Sequence, residues 1–220
     1  MNPQRIIAFP YNVYLAPQGT EFPTLTDTEA IIQGGKKYPK VALGAGGTTA
    51  AESWFLLGTS GNRDYSEAGV TVTHTQTLGT FQGAGSTWIR KAWRSDEGTQ
   101  VAFDLADLSP THYAKIMDER TLNPAELATS ASANEEWFSL ARLLNVNGQS
   151  ILLRGPSAIN EAKQSQYEIP YAYQAANPAP KYAIKGGPAL LALQFTAIEG
   201  EASTTSEPLK GLPRLRVGVK

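Results

Sequence analysis

Apolar and polar positions alternate with a period of two in most stretches that carry any pattern, which predicts a mainly β protein. The clearest run covers residues 69–78. Val70, Val72, His74 and Gln76 fall on one face, and Thr71, Thr73, Thr75 and Thr77 on the other. The first face starts apolar. The second is entirely threonine: β-favouring, polar and uncharged. It suits a surface that stays wet without gripping what passes over it, although threonine is also simply a good strand residue. Val101, Phe103 and Leu105 alternate as cleanly, and so do Leu191, Leu193 and Phe195 within an apolar strand over 189–198. Tyr167, Ile169, Tyr171 and Tyr173 predict a strand over 167–174 despite Pro170. Trp54 to Leu57 is short and continuously apolar, the mark of a strand buried on both faces. Residues 5–16 alternate through Phe9, Tyr11 and Val13, and Pro10 assigns that strand to an edge or a bulge.

Turn chemistry separates these runs at 17–20, 59–64, 83–86 and Ser95-Asp-Glu-Gly98. One helix stands out at 109–117. Ser109 is a good N-cap, Pro110 suits the first helical position, and Leu108 and Tyr113 occupy staple positions. Tyr113, Ile116 and Met117 then form one apolar stripe. Residues 135–144 fit either a capped helix behind Asn134 or the first strand of a hairpin with 150–154, and the hairpin is preferred. Residues 177–188 form a Pro/Gly loop. The segment 20–53 has no lasting period. It reads as an arm, or as a floppy loop with one short strand near 38–43. The organisation is one β domain over 1–199, with 200–220 as a C-terminal arm or peripheral strand that needs a surface to pack on.

Composition narrows the function classes. The 220 residues carry a formal net charge of -1, and 18% are charged. That balance does not suit a protein that holds nucleic-acid phosphates tightly. Cysteine is absent, which excludes disulfides, thiolate metal sites and cysteine nucleophiles. No run of about 18 apolar residues predicts a membrane span. No signal-peptide core precedes Pro10, so the expected compartment is the cytoplasm of synthesis. The two histidines, His74 and His112, lie apart and have no metal-ligand spacing around them. Asp104 and Asp107 straddle a strand end and a helix cap. The glycines at 44–47 lack phosphate-loop spacing. Arg90, Lys91 and Arg94 interleave with Trp88 and Trp93 like a weak nucleic-acid patch, but strand residues beside a turn explain them more simply. The chain lacks the ingredients of an enzyme, and no cofactor is expected.

A family resemblance covers most of the chain as an order of pieces. It begins at Val13-Tyr14-Leu-Ala16-Pro17-Gln-Gly19-Thr20-Glu-Phe-Pro23. It continues through Trp54-Phe-Leu-Leu-Gly58-Thr59-Ser60 and Tyr65-Ser-Glu-Ala-Gly69-Val70. Val101-Ala-Phe-Asp-Leu-Ala-Asp-Leu-Ser-Pro-Thr-His-Tyr-Ala-Lys-Ile-Met117 follows, then Tyr167-Glu-Ile169-Pro170 and the late strand ending at Glu199. In this order the chain resembles the major tail tube proteins of long-tailed, siphovirus-type bacteriophages. The long 20–53 insertion and the tail beyond Glu199 depart from that pattern.

The resemblance implies a β-sandwich or partial barrel flanked by one helix. It implies a structural virion protein, assembled in the host cytoplasm. Its copies would form rings, typically hexameric, that stack into the tail tube and join their sheets into one continuous barrel. DNA would pass through the pore without specific binding. The implied partners are further copies of the chain, the tape measure, the tail terminator and the tail-tip proteins, with no membrane. Thr71, Thr73, Thr75 and Thr77 are the candidate lumen-facing residues. The alternative is a ligand-binding β-sandwich such as a phage carbohydrate-binding adhesin module, with Trp88, Trp93 or Trp137 as a stacking platform.

Overall fold

A computed structural model describes residues 11–25, 29–33, 36–40, 54–57, 65–106, 113, 116, 146, 148–157, 164–180, 182, 189–200 and 211–218. Ten strands follow in chain order. They are β1 (Asn12–Pro17), β2 (Glu29–Gln33), β3 (Lys36–Lys40), β4 (Phe55–Leu56), β5 (Tyr65–Phe81), β6 (Lys91–Leu105), β7 (Gln149–Pro156), β8 (Gln164–Gln174), β9 (Leu191–Ala197) and β10 (Arg214–Val217). Eight of them form one antiparallel sheet in the order β4-β1-β7-β8-β9-β6-β5, with β10 also on β8. The sheet does not close into a barrel, and β5 ends it. β2 and β3 pair separately.

β8 holds the two halves together. Its first residues pair with β7 on one edge and β10 on the other, and its last three, Ala172 to Gln174, pair with β9. β9 in turn pairs with β6 from Leu191 to Thr196. One apolar cluster joins Val13, Leu15, Ile151, Leu153 and Ile169 from the first half to Val101, Phe103, Leu105, Leu191, Leu193 and Phe195 from the second. Phe103 and Phe195 stack across β6 and β9, with centroids 6.1 Å apart. The alternation read from the sequence supplies this core, and each such side chain contributes about 1.5–3 kcal/mol by leaving water. Tyr113 and Ile116 are helical, and Ile116 is buried in the same cluster. The remainder of the expected helix, 109–112, 114–115 and 117, lies outside the described residues.

A second layer covers the far face of β1 and β7. Tyr14, Ala16, Leu152 and Trp54 form its buried cluster, with Phe22 packed against it. The Phe22 and Trp54 rings lie 5.1 Å apart, and Trp54 Nε1 donates to the Glu21 carbonyl at 3.2 Å. Farther along this face the buried residues are polar. Arg154, fully buried, donates through Nε to Gln164 Oε1 and through Nη2 to the Thr24 carbonyl at 3.3 Å. Gln166 Nε2 donates to the Pro23 carbonyl at 2.8 Å and to Glu168 Oε1. Arg214 Nε donates to Glu168 Oε2, and Arg216 Nε lies 3.0 Å from Glu168 Oε1. Residues 20–25 and β10 therefore act as covers that supply partners to a buried polar face.

Several expectations need correction. Ser95-Asp-Glu-Gly98 is not a turn, because it lies inside β6, paired with β5. Ser95 is the extra residue of a bulge between the Thr77–Asp96 and Leu78–Arg94 pairs, and its hydroxyl donates to the Thr77 carbonyl at 3.1 Å. Gly98 sits in the strand because a Cβ there would come within 2.9 Å of Thr75 Oγ1. The preferred hairpin of 135–144 with 150–154 finds no free edge, since β1 and β8 occupy both sides of β7. Residues 135–144 themselves lie outside the described residues. The 20–53 segment holds a two-stranded hairpin with Ile31 opposite Tyr38. The two glycines at 34–35 that separate its strands were the sequence signal for it. In the tail, β10 is a peripheral strand of this chain's own sheet. Its arginines meet the buried Glu168 while Leu215 is exposed, the reverse of an apolar-in pattern.

The strand over 167–174 forms around Pro170 because β7 shifts register there, and Ser150 Oγ donates to the Pro170 carbonyl at 2.8 Å. At the start of β8, the Tyr11 phenol shares a 2.5 Å hydrogen bond with Ser165 Oγ. Burial, foremost, raises the Tyr11 pKa above its ordinary 10.0; the Ser165 bond opposes this and Tyr167 adds to it. The folded chain thus keeps this proton after the unfolded chain has begun to release it. The Tyr11 contribution is whole below about pH 10 and is lost as pH climbs through the raised folded value. Tyr11→Phe is expected to flatten the alkaline fall in denaturation midpoint above about pH 10. An unchanged alkaline slope would mean that this phenol ionises as freely when folded as when unfolded.

Candidate functional site: a cation-free sheet face beside a sheet edge

The register assembles one continuous face from three strands. Thr71 lies opposite Ala102, Thr73 opposite Gln100, Thr75 opposite Gly98 and Thr77 opposite Asp96. On the other side of β6, Gln100 meets Thr196, Ala102 meets Gln194 and Asp104 meets Ala192. The partners Val70 and Val72 pack against the core, and Val101 and Phe103 belong to it, so this face looks away from the core. All four threonines are exposed. The face is polar and rich in small side chains. Gln194 Nε2 donates to Gln100 Oε1 at 3.0 Å, and Thr75 Oγ1 reaches toward the Gly98 carbonyl at 3.5 Å.

Between Thr71 and Thr77 the face carries no Lys or Arg among these paired positions. Its only charges are Asp96 and Asp104, both negative. Arg94 is turned to the other side, where its Nε donates to Gln76 Oε1 at 3.1 Å and its Nη1 meets Glu97 at 3.2 Å. Such a wall cannot neutralise phosphates, and its two carboxylates repel them weakly across water. The face also reaches the edge of the sheet. Among the described residues β5, 17 residues long, is paired on one side only, by β6. An edge of that length presents a row of unpaired backbone groups that invites another strand.

Beyond Gln100 the β5–β6 pair leaves the body of the domain. Residues 73–78 and 91–97 are exposed on both faces. The turn is closed by hydrogen bonds from the Ser86 amide to the Gly83 carbonyl (3.0 Å) and from the Arg90 amide to the Phe81 carbonyl (2.9 Å). Past the bulge the side chains become large and apolar: Leu78, Phe81, Trp88, Ile89 and Trp93 are all exposed. Gly79 leaves room for the Trp93 indole, which a Cβ would strike at 2.5 Å.

Of the other residues singled out from the sequence, Asp104 lies on this face and His74 does not. His74 lies on the opposite side of β5, with Nδ1 3.2 Å from Thr99 Oγ1. No group of three or more His, Asp or Glu that could hold a metal occurs among the described residues. His112, Asp107 and Trp137 lie outside them. No helix among the described residues is long and apolar enough to cross a membrane. The sequence reading found the threonines and missed Ala102, Gln100, Gln194 and Thr196, because only strand pairing brings β6 and β9 beside β5. No family model matches the chain, and no curated protein sequence matches it.

Proposed function

We propose that this chain is a structural subunit that assembles with its own copies into rings stacked as a tube, as the resemblance to phage tail tube proteins implies. The observation that carries the reading is the pairing of a cation-free sheet face with a long edge, open among the described residues, on the same strand, β5. Edge-to-edge addition of copies removes the open edge, and a head-to-tail contact that closes by rotation makes a ring. In that ring the sheets run on as one barrel, and the Thr71, Thr73, Thr75 and Thr77 face lines the pore. DNA then passes a wall that offers hydrogen bonds to water and nothing cationic to phosphate. The tube belongs to a virion tail built in a host cytoplasm, with tape measure, terminator and tail-tip proteins as its further partners.

Negative-stain electron microscopy of the concentrated protein, alone and with tail-tip components of a phage lysate, tests this. The expected result is rings or hollow tubes with a central pore. A monomer under every condition would overturn it. A glycan-binding β-sandwich is the second reading, favoured by Trp88, which is 81% exposed at the hairpin turn. Retention of a glycan by a monomer would select it.

A further inference from the structure

We infer that the apolar tip of the β5–β6 hairpin is a docking element that inserts into a groove at the hairpin base of a second copy of this chain. The inference rests on the reading that copies associate, and adds to it which surfaces meet. The tip exposes Trp88 by 81% and Ile89 by 60%. An isolated two-stranded hairpin is marginal in water, so one that is wet on both faces and ends in large apolar groups needs cover. Arg90 and Lys91 follow at once in the chain, and neither has an ion-pair partner among the described residues.

The groove lies where β6, the end of β9 and the approach to β10 converge. Its volume is about 360 Å³, room for an indole ring. Ile198, Leu212 and Pro213 line it, with Glu97 and Glu199 among its acidic residues. Ile198 and Leu212 are 41% and 38% exposed, so the groove too is an uncovered apolar surface. Glu97 meets Arg94 within the chain, whereas Glu199 has no ion-pair partner among the described residues. A cationic, apolar tip thus faces an acidic, apolar groove of matching character.

The occupant cannot be the chain's own tip. Lys91, where β6 begins, stands six strand residues from Glu97, which at about 3.4 Å per residue is roughly 20 Å, and Trp88 to Arg90 lie in the turn beyond it. The contact therefore runs from tip to base between different copies. Such a heterologous contact does not use itself up, and it repeats along the hairpin direction.

The cysteine-free sequence makes the test clean. Two full-length proteins with different tags, one Thr87→Cys and one Ala197→Cys, are mixed and mildly oxidised. Thr87 is exposed beside the tip and Ala197 is a half-buried residue of the groove wall, so both changes leave Trp88, Ile89, Ile198 and Leu212 in place. The expected product is the mixed 87–197 disulfide, well above the 87–87 and 197–197 pairs. Arg90→Glu with Lys91→Glu in the first protein is expected to lower its yield roughly tenfold, the scale on which close interfacial charges couple. Glu97→Lys with Glu199→Lys in the second is expected to restore it.

Predominance of 87–87 pairs would overturn the docking in favour of tip-to-tip contact. Oligomers in sedimentation with no 87–197 cross-link would overturn it while leaving self-assembly standing. A strict monomer without cross-links would overturn both.

Discussion

Replacing Thr73 and Thr75 together by lysine is expected to leave the chain folded and, in the proposed tube, to turn an inert wall into one that holds DNA. Both side chains are exposed, opposite Gln100 and Gly98, on a face with no cation between Thr71 and Thr77. Surface changes of this kind usually move stability by no more than about 0.5 kcal/mol. The electrostatic consequence is far larger, because in the proposed ring every copy would add two charges to the same lumen. A wall that neutralises about 6–10 phosphates binds DNA with an affinity that falls about 10³–10⁵-fold between roughly 50 and 200 mM salt. Assembled wild-type tubes should retain no DNA at either salt. Tubes of the variant should retain it at low salt and release it steeply, and a phage carrying them should eject its genome slowly. Filter retention against salt is the measurement. Equal retention by both tubes would remove this face from the lumen, and loss of folding would mean that the threonines are packed in an interior.

The largest stability effect is expected from Arg214→Ala with Arg216→Ala, with a milder loss from Glu168→Ala. Glu168 is fully buried, and both arginines reach its carboxylate from β10. The arginines themselves are about a third exposed, at 34% and 37%. Removing them leaves the carboxylate inside the protein with only the Gln166 amide, an uncompensated charge that costs about 3–5 kcal/mol. Removing Glu168 instead leaves two cations that can turn toward water. In a domain of this size about 2–4 °C accompanies each kcal/mol, so the arginine variant should melt about 6–20 °C lower. Calorimetry of the three proteins decides this. A larger loss in Glu168→Ala than in the double arginine variant would overturn the asymmetry and place the penalty in the polar face of β8.

The Glu168 cluster was legible in principle. Gln164, Gln166 and Glu168 alternate on one strand, and Arg214 and Arg216 alternate on another with opposite charge. What hid it was the assumption that polar positions in a strand face water. That holds for a sheet with one wet side, and here residues 20–25 and β10 cover the second side. The same cover explains why Tyr14 and Ala16 are as buried as Val13 and Leu15. Ser95 to Gly98 shows the opposite failure. Four turn-forming residues in a row are a sound local signal, and the long pairing with β5 outweighs it by absorbing Ser95 as a bulge.

The sequence by itself determined the β class, the core positions of β6 and β9, the apolar strand at Trp54 to Leu57 and the threonine face. These depend on periods of two and on short apolar runs, which are properties of the chain alone. Only the tertiary structure decided which strands are neighbours, and with that everything relational. It set Gln100, Ala102 and Gln194 beside the threonines, closed both edges of β7, left one side of β5 without a partner among the described residues, and carried the hairpin tip away from the body. Strand pairing joins residues far apart in sequence, and the hydrophobic pattern that fixes which face is buried is silent about which edge meets which.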